Sequence, residues 1–96
     1  MIRKANENDI ISINKLGCIF NSNFVNTYNV IDYLKNKNYI ILVNDEEEIN
    51  GLIIVYKNID YYELEAIVVD IESRKKGIAT NLITYFIENY LTKNDE

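Results

Sequence analysis

Ninety-six residues allow a single domain, 1–96, and a chain of that size buries only about 60–65% of the surface its unfolded form exposes, so its core is thin. With 48% hydrophobic and 26% charged residues the balance is globular, and ten basic against fifteen acidic residues, a net charge of −5, argue against a broad basic footprint for nucleic acid. The absence of His removes a His general base, a Ser-His-Asp triad and a His metal site, and one cysteine can neither close an internal disulfide nor build a thiolate cage, so no metal is expected.

Met1 to Ala5 reads as a short strand. Arg3 and Lys4 are followed by Asn6-Glu7-Asn8-Asp9 rather than by an apolar stretch, so no secretory leader is expected. No apolar run approaches the roughly 18 residues of a membrane span, and the chain reads as cytoplasmic. Asn6 or Asn8 is a good N-cap, and Ile10, Ile13 and Leu16 followed by Gly17 predict a helix closed by Gly17 as its C-cap. Cys18, set among apolar residues with nothing to lower its pKa, reads as structural and fits a reducing compartment. Phe20, Phe24, Tyr28, Ile31 and Leu34 recur at helical spacing and predict a second helix or helical loop.

The β-branched run Tyr39–Val43, the acidic turn 44–48 and the run Ile49–Tyr56 predict a β-hairpin. Tyr61 to Asp70 predicts a third antiparallel strand, mostly buried, with Glu63 and Glu65 on one face and Leu64, Ala66 and Val68 on the other. Tyr56, Tyr61 and Tyr62 read as cross-strand packing. From Ile78 the period becomes helical: Ile78, Leu82, Phe86 and Tyr90 form an i, i+4 stripe, before a polar tail from Thr92 to Glu96.

The stretch joining the third strand to this last helix is the informative one. Asp70-Ile71-Glu72-Ser73-Arg74-Lys75-Lys76-Gly77 is a loop that turns basic within an acidic protein, and Gly77 and Ala79 open the helix. The first N–H groups of a helix lack internal partners and favour an anion, and small residues let a phosphate approach the backbone. Two readings fit: a solvated loop with Gly for a tight turn, or a pyrophosphate site. Three consecutive bases just before a helix N-terminus are unfavourable unless an anion neutralises them, which favours the second.

Arg74-Lys75-Lys76-Gly77-Ile78-Ala79 resembles the [RQ]-x-x-G-x-[GA] signature of the GNAT superfamily of acyl-CoA N-acyltransferases. The strand Ile67–Asp70 before it, the opening Ile2–Ala5 with Asp9-Ile10, and the turn Glu48-Ile49-Asn50-Gly51 resemble further family segments. The resemblance covers almost the whole chain and is closest to the ribosomal-protein-alanine N-acetyltransferase type. It implies an α+β fold with a GNAT-like mixed sheet in the order β-α-α-β-β-β-α, and transfer of acetyl from acetyl-CoA, as co-substrate, to a primary amine on a small molecule or peptide.

By position, the resemblance places the CoA pyrophosphate at Arg74, Lys75, Lys76, Gly77, Ile78, Ala79 and Thr80, and the pantetheine arm along Ile67, Val68 and Val69. The Val69 amide or its neighbour is implied to polarise the thioester carbonyl, an oxyanion-type role open to backbone groups. Glu63 stands eleven residues before Arg74, where the family often carries its base; Glu65 is the other candidate, and both also fit plain solvent-facing strand residues. Phe24 and Tyr28 fall where family members line the acceptor site.

Family members continue beyond the signature helix with another strand, a helix and a hairpin, so the chain corresponds to the N-terminal two thirds of such a domain. The third strand is then expected to leave an unpaired edge, open to pairing with a second copy as a homodimer. Alternatives are a fragment of a longer enzyme, or a shortened, non-catalytic module that binds CoA or a protein.

Overall fold

The β-branched runs in the middle of the chain form one antiparallel sheet with helices on both faces. The computed structural model describes residues 1–91, so the polar tail lies outside the described residues. The order is β1 (Ile2–Lys4), a 3-10 turn (Glu7–Asp9), α1 (Ile10–Phe20), α2 (Phe24–Thr27), α3 (Val30–Lys35), β2 (Tyr39–Glu46), β3 (Glu48–Lys57), β4 (Tyr62–Val69), a second 3-10 turn (Ile71–Ser73) and α4 (Ile78–Phe86), which widens into a π turn at Ile87–Leu91. The sheet order is β1-β2-β3-β4 and every pairing is antiparallel.

β2 and β3 are covered on both faces, which is why they read as continuous apolar runs. On one face Ile41, Val43, Leu52 and Ile54 meet Ile13, Leu16, Phe24 and Val30 from α1, α2 and α3. On the other, Ile40, Leu42, Ile53 and Val55 meet the predicted stripe Ile78, Leu82 and Phe86. The stripe continues as expected, with Phe86 and Tyr90 stacked 5.5 Å apart. Gly51 faces this helix: a Cβ there would come within 2.7 Å of the Ile78 Cγ2, so the missing side chain lets the start of α4 settle on β3.

Four expectations change. The helix predicted to stop at Gly17 runs on to Phe20. Gly17 is buried inside it because the Phe24 ring lies where its Cβ would be. The predicted second helix is two short ones, broken at Tyr28–Asn29, where the Asn29 side chain accepts from the Asp32 N–H and starts α3. The hairpin turn is tighter than 44–48: Glu46 faces Glu48 across Glu47, which takes φ +64°. Finally, β4 is an edge strand among the described residues, and Val68 is its one buried residue, so it is less buried than its apolar composition predicts.

Gly17→Ala gains about 1 kcal/mol of helix propensity but drives a methyl into the Phe24 ring, and overpacking of that kind costs about 1–3 kcal/mol. A net loss of stability is expected in a chemical denaturation series. A more stable variant would show that Phe24 has room to move.

The start of the chain is held by one arginine. Arg3 donates to both oxygens of Asp9 (2.8 and 2.9 Å) and to Asp45 Oδ2 (2.9 and 3.2 Å), tying β1 to the turn before α1 and to the hairpin. The hydrogen bonds from Arg3 hold the Asp9 carboxyl below the usual carboxylate range. Asp9 also accepts the Asn6 N–H while Asn6 caps the turn, a reciprocal box that fixes where the helix begins.

Candidate functional site

Two bulges shape the site. Along the β3–β4 pair, Ile54 faces Ala66 and Val55 faces Leu64, so Glu65 is an extra residue on β4. The bulge shifts the alternation. Glu63, Ala66 and Val68 pair with Tyr56, Ile54 and Leu52 and share the α1–α3 face, whereas Leu64 pairs with Val55 on the α4 face. Ala66 and Val68 therefore lie on the face of Glu63, not opposite it as strict alternation predicts. Tyr28 fastens the bulge, its hydroxyl donating to the Glu65 carbonyl at 3.1 Å. Glu65 is half-buried, and burial, with the charge of Glu63 second, pushes its carboxyl up from the ordinary glutamate value.

The second bulge lies in β3. Asn44 faces Gly51 and Asp45 faces Ile49, so Asn50 is the extra residue. Its side-chain oxygen accepts from buried Asn44 (2.8 Å), its amide group donates to the Ser73 hydroxyl (3.4 Å), and its carbonyl accepts the Asp70 N–H (2.8 Å). The loop after β4 is thereby tied to the hairpin at both ends of its 3-10 turn. Asn44, Asn50 and Ser73 carry no charge, and Ser73 stands 23 residues from Asn50, so the strand register is what brings them to notice.

Beyond this tether the loop takes two left-handed residues, Lys75 at φ +75° and Gly77 at φ +77°. For Lys75 that conformation is strained. Gly77 is the N-cap of α4 and its side supplies no capping group; the first amide hydrogen bond of the helix runs from Asn81 to the Gly77 carbonyl. Among the described residues the N–H groups of Lys75, Lys76, Gly77, Ile78, Ala79 and Thr80 have no backbone or side-chain acceptor. A Cβ on Gly77 would meet nothing within 4 Å, so space lies open before these donors. Arg74 turns back instead, its Nε donating to the Val69 carbonyl at 3.2 Å. Donors, open space and two exposed lysines together fit a diphosphate.

Ile67 is exposed, Val68 is buried and Val69 half-buried. The outer edge of β4 has no strand beside it among the described residues, which leaves its outward backbone groups available to an extended ligand. A hollow of about 170 Å³ sits at the end of this edge between Leu16, Ile19, Phe20, Val68, Ile71 and Arg74. From sequence, Phe20 is placed in a helical stripe and Ile19 is passed over, and neither is a candidate site residue there; their exposure at the end of an otherwise amphipathic helix is the signal for them.

The acceptor-side expectations divide. Phe24 is 1% exposed and is a core side chain under Gly17, so it is not placed to touch a substrate. Tyr28 is half-buried against it, ring centroids 5.0 Å apart, with its hydroxyl at the bulge. Tyr33 stacks on Tyr39 at 3.7 Å, and Tyr39 meets Tyr56 across the strands at 5.0 Å. Tyr62 instead packs edge-on to Phe86, while exposed Tyr61 accepts from Asn58. Burial, with a Tyr33 hydrogen bond, keeps Tyr39 protonated well above the usual phenol range. A hollow of about 710 Å³ is on the α4 face between Leu64, Ile83, Phe86 and Ile87, opposite the face of Glu63. Among the described residues no three Cys, Asp or Glu side chains gather as a metal site, and no helix is long and apolar enough to cross a membrane.

The sequence model of the acetyltransferase (GNAT) family matches residues 12–94. No curated protein matches the chain. Among solved structures, an acetyltransferase from Vibrio fischeri is 20% identical with a TM-score of 0.78, over 97% of this chain and 87% of that one. An aminoglycoside N-acetyltransferase solved with CoA is 17% identical, TM-score 0.78, over 98% and 72%. A ribosomal-protein-alanine N-acetyltransferase from Escherichia coli is 15% identical, TM-score 0.68, over 92% of this chain and 57% of its own length. At these identities the likeness is one of fold.

Proposed function

The chain belongs to the GNAT acetyltransferase family, and from that footing we propose that it transfers acetyl from acetyl-CoA to a primary amine, on a protein N-terminus, a lysine or a small molecule. The observation that carries this reading is the run of unpartnered amides from Lys75 to Thr80 behind an open approach at Gly77. Those amides, with Lys75 and Lys76, would hold the pyrophosphate, and the free edge of Ile67, Val68 and Val69 the pantetheine arm. When bound, acetyl-CoA supplies an activated acetyl thioester. A backbone N–H at the end of β4, that of Val69, would hold the thioester oxygen, since the neighbouring Asp70 N–H already donates to the Asn50 carbonyl. Glu65, raised by burial, would take the proton of the attacking amine directly or through a water, with Glu63 as the other candidate. The CoA complex of a fold neighbour supports the cofactor, and the neighbours' aminoglycoside and ribosomal-protein acceptors are consistent with an amine.

A second reading, a module that binds CoA without turnover, is favoured by the unpaired outer edge of β4 among the described residues. Thermal denaturation with acetyl-CoA and with CoA tests the first step: ligand at 100 times its Kd should stabilise the fold by about 2.7 kcal/mol. No shift at millimolar ligand would overturn both readings. A shift followed by thiol release on adding amines supports transfer; a shift with no release across an amine panel leaves the binding module.

A further inference from the structure

One side chain of the loop stands in the way of the arm that β4 would hold. The Asp70 N–H points into the sheet, to the Asn50 carbonyl. Backbone groups alternate along a strand, so those of Val69, one residue earlier, point outward from the free edge. The Val69 carbonyl is nonetheless taken, because the Arg74 Nε donates to it at 3.2 Å. The same arginine lines the hollow at the end of this edge, with Phe20 and Val68. An extended ligand that pairs along β4 with its own amide N–H therefore meets Arg74 at the last carbonyl.

The arginine has a stronger partner within reach. The ion pairs of the described residues are those of Arg3, so exposed Arg74 points its charge at a neutral carbonyl. Arg74 directly precedes the run of unpartnered amides from Lys75 to Thr80. A diphosphate held by those amides would lie within the sweep of its side chain. A guanidinium fork binds phosphate more strongly than it binds a carbonyl.

We infer that Arg74 is a latch. On the Val69 carbonyl it closes the end of the β4 edge; a diphosphate at the loop draws it off and opens the edge to the pantetheine arm. This rests on the reading of loop and edge as the acetyl-CoA site, and adds how its two halves are coupled. A neutral arm alone must break the arginine's hydrogen bond with nothing to replace it. Phosphate and arm therefore bind cooperatively, each strengthening the other by the same factor.

The test is an NMR titration with pantetheine and with ADP, singly and together, alongside the CoA thermal shift. Saturating ADP is expected to tighten pantetheine binding about threefold to tenfold, the range of one net hydrogen bond. In Arg74→Ala, pantetheine alone should bind as it binds the ADP-saturated wild type, ADP should bind more weakly, and the coupling should vanish. Arg74→Gln keeps a donor for the carbonyl but no charge for phosphate. Pantetheine alone should then bind as weakly as to the wild type, and ADP should no longer help it. Arg74 is exposed and outside the core, so both variants are expected to fold. Pantetheine binding that ignores ADP in the wild type, or that Arg74→Ala leaves unchanged or weakens, would overturn the latch. With the CoA shift still present, the acetyl-CoA site would stand. Absence of that shift in the wild type would instead overturn the underlying reading.

Discussion

Gly77→Glu is expected to abolish stabilisation by CoA, weakening binding by about a hundredfold or more, while leaving a folded protein. Two effects of the substitution oppose each other in the free protein. The residue must hold φ +77°, which costs a non-glycine residue about 1–2 kcal/mol. A carboxylate at the N-terminus of α4 returns about 0.3–1 kcal/mol by facing the positive end of the helix. The free protein should therefore melt only a few degrees lower. Binding suffers differently, because the new carboxylate occupies the open space before the amides of Lys75–Thr80 and repels a diphosphate there. Gly77→Asn separates the effects: asparagine tolerates the left-handed conformation and brings no charge, so most of the CoA shift should survive. If Gly77→Glu melts normally and still responds to CoA, the anion site lies elsewhere.

Glu65→Gln is expected to lower the rate of acetyl transfer by about 10²–10⁴-fold, the usual contribution of a positioned base, with the CoA shift retained. The pH profile gives the sharper readout. Only the ionised carboxyl takes a proton, so kcat/KM should fall as pH drops through the Glu65 pKa. Burial raises that value, and the fall should begin above the ordinary glutamate range. The charge of Glu63 contributes to the same rise, so Glu63→Gln should move the acid limb to lower pH. A profile of Glu65→Gln that matches the wild type, at comparable rate, would remove Glu65 from the chemistry.

Much of the architecture was legible because its main signals are periodic. The alternation between apolar runs and acidic turn announces β2 and β3, and Ile78, Leu82 and Phe86 keep the spacing of one helix face. What escaped were features decided by contact across the fold. Gly17 reads as a helix stop, yet its role is to admit the Phe24 ring, which no local pattern encodes. β4 carries an inner strand's composition at an edge position, and burial there depends on what pairs beside it.

The loop before α4 stood out in sequence because its charge contradicts both the net charge and the helix end it precedes. The bulges at Glu65 and Asn50 did not, since a bulge is a property of two strands in register. The same limit hid Asn44 and Ser73.

The tether through Asn44, Asn50 and Ser73 is built entirely from neutral groups. Ionic strength thus separates the loop's anchorage from its grip. Added salt screens Lys75 and Lys76 from an anion but leaves the neutral hydrogen bonds of the tether in place. Rising salt should weaken the ligand's hold while the frame that presents the amides keeps its shape.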